Sequence, residues 1–82
     1  MAAKLEYVCT EQVVKGVDGR RRKAFRFNVV DVSGRQPKLI CAVNDVCARA
    51  DQARELENLF RRNRVEPRHI MDVLEDWIAY RR

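Results

Sequence analysis

The spacing of the apolar residues changes once along this chain, and that change restricts the folds it can adopt. Before about residue 44, apolar residues recur at every second position, which is the period of a β-strand with one buried face. After about residue 50 they recur at steps of three and four, which is the period of an amphipathic helix. A chain whose strands all precede its helices is typical of the α+β class rather than of alternating βαβ folds.

Three strands are predicted in the first half. Leu5, Tyr7 and Cys9 alternate with the mostly polar residues of the opposite face, which predicts a half-buried strand over residues 5–14. The sequence KGVDG contains an Asp-Gly pair that tolerates the positive φ of a hairpin turn, so RRRKAFRFNVVDV forms a second, antiparallel strand. After the turn SGRQP, the segment KLICAV predicts a shorter third strand, whose core face carries Leu39, Cys41 and Val43.

Two helices are predicted after the strands. The first is expected to start at an Asp51 N-cap and to end near Asn63, with Asn44 or Asp45 as alternative caps for an earlier start. Pro67 suits the first position of the second helix, because its fixed φ favours the helix and its missing N–H is not needed there. The second helix carries an apolar stripe formed by Ile70, Val73, Leu74, Trp77 and Ile78.

These elements predict a three-stranded antiparallel β-meander with two α-helices packed on one face, in the order β-β-β-α-α. Residues 1–82 are expected to form a single small domain, because a chain of 82 residues buries only about 60–65% of its unfolded surface and has no material for a second core. The other face of the sheet is then left without a covering layer.

The last helix carries a motif that supports this order of elements. It has the pattern V-x-P-x-H-I-x-D-V-L-E-D-W, formed by Val65, Pro67, His69, Ile70, Asp72, Val73, Leu74, Glu75, Asp76 and Trp77. Together with VVDVSG and the helix between them, this motif resembles a short bacterial family of Firmicutes type that is described as a domain of unknown function. The resemblance covers roughly residues 25–78. It implies a small intracellular bacterial protein and no particular activity, so no catalytic residue follows from it.

The cysteines and the length of the apolar segments predict where in the cell the protein is located. Cys9, Cys41 and Cys47 are an odd number and form no CxxC pair, which favours a reducing compartment over a disulfide framework. The first residues contain no apolar run of signal-peptide length, and no segment approaches the ~20 apolar residues that span a bilayer. A cytoplasmic protein without membrane contact is expected.

Basic residues are concentrated in one third of the chain. Residues 15–38 hold eight basic side chains against two acidic ones, an excess of six in a chain of net charge +5. Phe25 and Phe27 alternate toward the core, so no aromatic ring is left to stack a base, and only phosphate contacts are expected. The candidate contacts for nucleic acid or an acidic partner are Arg20, Arg21, Arg22, Lys23, Arg26 and Lys38. The alternative is a solvated surface that discourages aggregation at the sheet edge.

The uncovered face of the predicted sheet is mixed in character. Apolar side chains at every second position should leave a patch on that face, and such patches often mark association surfaces. A two-fold homodimer would bury the patch, because two-fold symmetry is the commonest arrangement for small oligomers. The candidate self-association residues are Val8, Ala24, Val30, Ile40 and Ala42.

No catalytic, metal or cofactor site is predicted. His69, Asp72 and Asp76 lie along one flank of the last helix, but a metal ion would need further ligands from elsewhere. We instead expect a ring nitrogen of His69 to reach either the preceding turn or the end of the first helix, and so to fix the junction between the helices. The sequence therefore predicts a non-enzymatic binding module that self-associates through its open sheet face and takes no small-molecule substrate. The alternative is a nucleic-acid-binding regulator that places the basic hairpin on phosphates.

Overall fold

The computed structural model of the chain describes residues 4–81, and its first half is a single antiparallel sheet. Strand β1 is Leu5–Lys15, β2 is Arg21–Asp31 and β3 is Lys38–Cys47. They lie in the order β1-β2-β3, with both neighbouring pairs antiparallel. The hairpin turn between β1 and β2 contains Gly19 with a φ of 82°, a conformation that glycine adopts without the steric cost of a Cβ. The predicted meander is confirmed.

The helices follow the sheet in the predicted order. Helix α1 is Ala50–Asn63, and a single 3₁₀ turn at Pro67–His69 continues directly into α2, Ile70–Arg81. The α+β fold with the order β-β-β-α-α is therefore confirmed, with α1 in contact with the sheet. Pro67 occupies the first position of the 3₁₀ turn, as predicted for the start of the second helical segment.

Helix α1 starts differently from the prediction. Its N-cap is Arg49, and Asp51 lies inside the first turn, where its carboxylate accepts a hydrogen bond from the Arg49 Nε at 3.1 Å. A carboxylate in the first turn still favours the helix, because it interacts with the positive end of the helix dipole. The alternative caps Asn44 and Asp45 are wrong, since both residues belong to β3.

Three aromatic rings join the sheet to α1 in the core. The centroid of the Phe60 ring lies 4.7 Å from that of Phe27 and 5.4 Å from that of Tyr7, both at tilted angles that aromatic pairs favour. Phe27 and Phe60 are fully buried. Each such phenyl group contributes roughly 1.5–3 kcal/mol by leaving water. The other buried members of this cluster are Val29, Val46, Leu56, Val65, Ile70, Leu74 and Trp77.

A bulge in β3 reverses one predicted side-chain direction. Val29 pairs with Cys41 and Val30 pairs with Leu39, so Ile40 is an extra residue on β3. Because successive strand residues face opposite sides, the extra residue moves Leu39 from the predicted core face to the outer face, opposite Val30. Leu39 is 53% exposed. Its prediction as a core residue is wrong, whereas Cys41 and Val43 do pack against the core.

A second, wider irregularity follows in the same strand. Phe25 pairs with Cys47 and Phe27 pairs with Val43, so three residues of β3 lie opposite Arg26 alone. Asp45, in the middle of these three, has a φ of 56°. Aspartate is among the few residues that enter this left-handed region at modest cost. The irregularity lets β3 extend to Cys47, beyond the predicted end of the strand.

The hairpin of β1 and β2 extends past the helices. An 11-residue strand spans about 36 Å at about 3.3 Å per residue, whereas the 14 residues of α1 span about 21 Å. The helix therefore covers only part of the sheet length, and Val13, on the helix side of β1, is 67% exposed. The chain is correspondingly elongated, with principal extents of 47 × 28 × 20 Å.

Candidate interaction surface on the open sheet face

The outer face of the sheet, opposite the helices, carries an apolar patch at one end. The bulge brings Leu39 and Ile40 together opposite Val30, and they are 53% and 42% exposed. Val8 and Ala42 lie in the next row, on either side of Asn28, and both are half-buried. We define the outer patch as Val8, Val30, Leu39, Ile40 and Ala42. It contains four of the five predicted self-association residues and adds Leu39.

Ala24, the fifth predicted residue, does not belong to the accessible surface. It lies on the outer face opposite Gln12, yet it is fully buried. Gln12 in β1 reaches β3, where its Oε1 accepts a hydrogen bond from the Asp45 N–H at 2.8 Å and its Nε2 donates to the Asn44 Oδ1 at 3.4 Å. Since β2 lies between β1 and β3, the Gln12 side chain crosses directly over Ala24. Its assignment to the association face is therefore corrected.

A polar network occupies the centre of this face. The Asn28 side-chain amide donates to the carbonyl oxygen of Val8 and to the Thr10 hydroxyl, both at 3.0 Å. Arg26, on the neighbouring position of the same face, has a buried Nε that makes no hydrogen bond to any residue the structure describes. A buried guanidinium nitrogen without an acceptor is costly, so this Nε lowers the stability of the fold. The outer face is thus apolar at one end and polar toward the hairpin.

The predicted basic contacts are largely matched by carboxylates on the protein itself. Arg22 donates two hydrogen bonds to the Asp45 carboxylate, one of them at 3.0 Å, in the bidentate geometry that arginine favours. The Lys23 Nζ lies 3.1 Å from the Glu11 Oε1, and the Arg20 Nε lies 3.8 Å from the Asp18 Oδ2. These pairs are solvent-exposed and contribute little to stability, but each one lowers the net positive charge available to phosphates.

The remaining basic candidates do not form a single cluster. Arg21 is exposed and lies opposite Lys15, near the hairpin turn. Lys38 lies opposite Asp31, at the other end of the sheet, and its charge helps to hold the pKa of that carboxyl below its usual range, after the hydrogen bonds from Ser33. Arg26 lies on the outer face between these two ends. The six residues therefore spread along β2 and the start of β3.

Comparison with known protein families shows which family this chain belongs to. A family model described as a family of unknown function, DUF6514, matches residues 1–80. The chain belongs to DUF6514. The predicted membership of a family of unknown function is confirmed, and the match extends beyond residues 25–78 on both sides. Comparison with curated proteins and with solved structures gave no match.

Two thiols of this DUF6514 chain, Cys9 and Cys47, lie in environments that keep them protonated. The pKa of Cys9 is raised to about 12, mainly by burial, and the nearby Glu57 carboxylate and the Cys47 sulfur contribute to this rise. Burial also raises the pKa of Cys47. A thiol must lose its proton to act as a nucleophile, so both cysteines are protonated and poorly reactive near neutral pH. All three cysteines are free.

The histidine and the acidic flank of α2 stay apart from any site. His69, Asp72 and Asp76 are all exposed. Over the part of the chain that the structure describes, no three His, Cys, Asp or Glu side chains lie close enough together to hold a metal ion. The backbone N–H of His69 donates to the Glu66 carbonyl at 2.9 Å and so holds the preceding turn, while the contact of the His69 ring stays a prediction.

Two side chains of α1 cover part of the exposed edge of β1. The Glu57 Oε2 accepts a hydrogen bond from the Cys9 N–H at 2.7 Å, and the Arg61 Nη2 donates to the Tyr7 carbonyl at 3.3 Å. Sequence reasoning missed both contacts, although the spacing of Glu57 and Arg61 by four residues places them on one side of the helix. Edge strands that are covered in this way resist pairing with another chain.

Among residues 4–81, no helix is both long and apolar enough to cross a bilayer.

Proposed function

We propose that this DUF6514 chain is a non-enzymatic binding module of the bacterial cytoplasm and that it pairs with a second copy of itself through the outer patch. The observation that carries the proposal is the exposure of two adjacent large apolar side chains, Leu39 at 53% and Ile40 at 42%, on a sheet face that the helices do not cover. Burial of such a patch favours association by roughly 25 cal/mol per Å² of apolar surface, before the costs of association. The cytoplasmic location is supported by three free thiols.

The charges on the outer face favour a second copy as the occupant. Glu6 is exposed at the patch end, opposite Val30, and Arg26 lies two rows closer to the hairpin. A two-fold axis that lies between two facing sheets, perpendicular to the strands, reverses the strand direction. Glu6 of each copy is then brought toward the Arg26 guanidinium group of the other, so that opposite charges meet across the interface. Because the axis repeats every contact, the two ion pairs form together.

Sedimentation velocity over a range of concentrations tests this proposal. The unaltered chain is expected to form a dimer, and Ile40→Glu is expected to weaken it by at least about 10-fold, because a carboxylate would be buried in the interface without a partner. Val13→Glu is the matched control. It places the same charge at another exposed apolar residue, on the helix side of β1.

Three outcomes would count against the proposal. A monomer at high micromolar concentration would exclude self-association as the main activity. Loss of the dimer in Val13→Glu but not in Ile40→Glu would move the interface to the helix side or to the edge of β1. A salt-sensitive shift of mixed-sequence DNA or RNA by the unaltered chain, lost in Arg21→Glu, would instead support the nucleic-acid alternative. That alternative relies on the hairpin, where three of the four cations already have carboxylate partners.

A further inference from the structure

A concave region lies on the helix side of the molecule, away from the outer patch. The start of β1 and the turn between α1 and α2 enclose a cleft of about 790 Å³, which is within the size range of small-ligand sites. Its apolar part is formed by Leu5, Tyr7, Val65 and Pro67, and its polar part by Lys4, Arg61, Arg64 and Glu66. Such a combination of apolar surface with a few converging polar groups is typical of ligand sites.

The polar groups of this cleft are mainly unpaired hydrogen-bond donors. Lys4 and Arg64 have no carboxylate within ion-pair distance in residues 4–81, and Arg61 uses only its Nη2, which donates to the Tyr7 carbonyl. A guanidinium has five N–H donors, so most of those on Arg61 stay available. The single carboxylate, Glu66, is held by the Arg68 Nε at 2.9 Å, and Arg68 does not line the cleft.

The backbone fixes the positions of these donors. Arg64 is the C-cap of α1 and has left-handed angles, φ 47° and ψ 55°. Arg61 is held by its bond to Tyr7, and the Tyr7 hydroxyl donates to the Val65 carbonyl at 2.7 Å. That bond also occupies the carbonyl acceptor of Val65, a residue that lines the cleft. The cleft is therefore rich in donors and positive charge and poor in free acceptors.

Some of these cations also stabilise the helix itself, without any ligand. Basic residues near a helix C-terminus interact favourably with the negative end of the helix dipole, which accounts for Arg61 and Arg62 without any ligand. It does not account for Lys4, which precedes β1 and belongs to no helix. Nor does it require the three cations to share one cleft with an apolar floor.

We propose that this cleft binds a phosphate monoester that carries an apolar group. Three cations against one engaged carboxylate favour a dianion over a monoanion, and arginine forks match the geometry of phosphate oxygens. The apolar floor accepts the attached group. This inference goes beyond the self-association proposed above and does not depend on it, because the cleft lies on the helix side and the outer patch on the opposite face.

The probes are phenyl phosphate, inorganic phosphate and benzoate, each titrated into the full chain at constant ionic strength and followed by amide chemical shifts in NMR. Phenyl phosphate is expected to bind at least about 5-fold more tightly than either of the others, since only it offers both the dianion and the ring. The shifts are expected to concentrate at residues 4–7 and 61–67. Equal weak binding of all three probes would contradict the proposal.

Arg64→Gly is the informative variant, because glycine adopts the left-handed conformation of this position readily and the fold is preserved. We expect it to weaken phenyl phosphate at least about 10-fold, as the loss of a charge-assisted bidentate contact would. Arg62→Gln is the matched control, since Arg62 lies on the same last turn of α1 but does not line this cleft. Equal losses in both variants, or shifts centred on the basic hairpin, would show a diffuse electrostatic attraction and would overturn the site.

Discussion

The Tyr7 hydroxyl donates a hydrogen bond to the Val65 carbonyl oxygen at 2.7 Å, across 58 residues of sequence. The two residues are buried, 5% and 8% exposed respectively. This contact ties the first strand to the turn between the helices. It occupies a carbonyl that follows the end of α1 and that would otherwise be buried without a donor. The phenol group of Tyr7 thus helps to hold the turn between the helices against β1.

Replacement of this phenol tests its contribution. Tyr7→Phe keeps the ring in its aromatic cluster but leaves the Val65 carbonyl unsatisfied, so we expect the free energy of unfolding to fall by about 1–2 kcal/mol. For a chain of this size, each kcal/mol corresponds to a fall of about 4–8 °C in Tm. Urea unfolding followed by circular dichroism measures the change. Tyr80→Phe, at an 88% exposed residue of α2, is the control and should change stability by less than about 0.5 kcal/mol.

The position of the Gln12 side chain over Ala24 leads to a second prediction. A leucine at position 24 would occupy the space of that side chain, so Ala24→Leu is expected to destabilise the fold by about 1–3 kcal/mol. Ala79→Leu, at an exposed position of α2, is the matched control and should be nearly neutral. In a Gln12→Ala background the Ala24→Leu substitution should cost less, because the overlying side chain is gone. Equal costs in both backgrounds would show that the two residues are not coupled.

The strands show where the alternation of apolar residues predicts the direction of a side chain correctly and where it does not. Alternation placed Tyr7, Phe27 and Val29 in the core, and all three are buried. The same rule was wrong for Leu39, because the extra residue at Ile40 shifts the register, and no local signal in KLICAV marks a bulge. The period therefore predicts a face reliably only where the pairing is regular.

Predictions for the surface were limited by contacts between distant residues. The run from Arg20 to Lys23 suggested a phosphate-binding segment, but Arg22 is paired with Asp45, which is 23 residues away in sequence. Ala24 was assigned to an accessible patch, but a glutamine from the neighbouring strand covers it. The composition of a segment gives its charge, whereas the residues that neutralise or cover that segment depend on strand pairing and on the direction of each side chain.

The Cys9 thiol makes stability depend on alkaline pH. Its pKa in the folded chain is raised from its ordinary value of 9.0 to about 12, with burial as the main cause. Between these two values the unfolded chain loses the thiol proton while the folded chain retains it, so the unfolded state is favoured as pH rises. Stability is therefore expected to fall from about pH 9 upward, with this contribution absent below pH 9.

Chemical denaturation at several pH values measures that slope. Cys9→Ala is expected to have a shallower decline above pH 9 than the unaltered chain, whatever its stability at neutral pH. Cys41→Ala retains Cys9 and should keep the steeper decline. Because alkylation requires the thiolate, iodoacetamide should also modify Cys9 slowly at pH 8 in the folded chain and rapidly in urea. Fast modification of Cys9 in the native chain would contradict the raised pKa of this thiol.

Charge reversal tests the orientation of the proposed dimer, in which Glu6 of each copy faces Arg26 of the other. Glu6→Arg alone would place two cations together, and we expect the dissociation constant to rise at least about 10-fold, the lower end of the range for close interfacial charge pairs. Adding Arg26→Glu restores opposite charges and should recover most of the affinity. Glu75→Arg, on the exposed side of α2, changes the net charge by the same amount and should leave the dimer unchanged.

A dimer that is weakened by Glu6→Arg but not rescued by the second reversal would retain the outer face as the interface and exclude the axis perpendicular to the strands. Equal weakening by Glu6→Arg and Glu75→Arg would show that only the total charge matters, and the pairing of Glu6 with Arg26 would then be rejected.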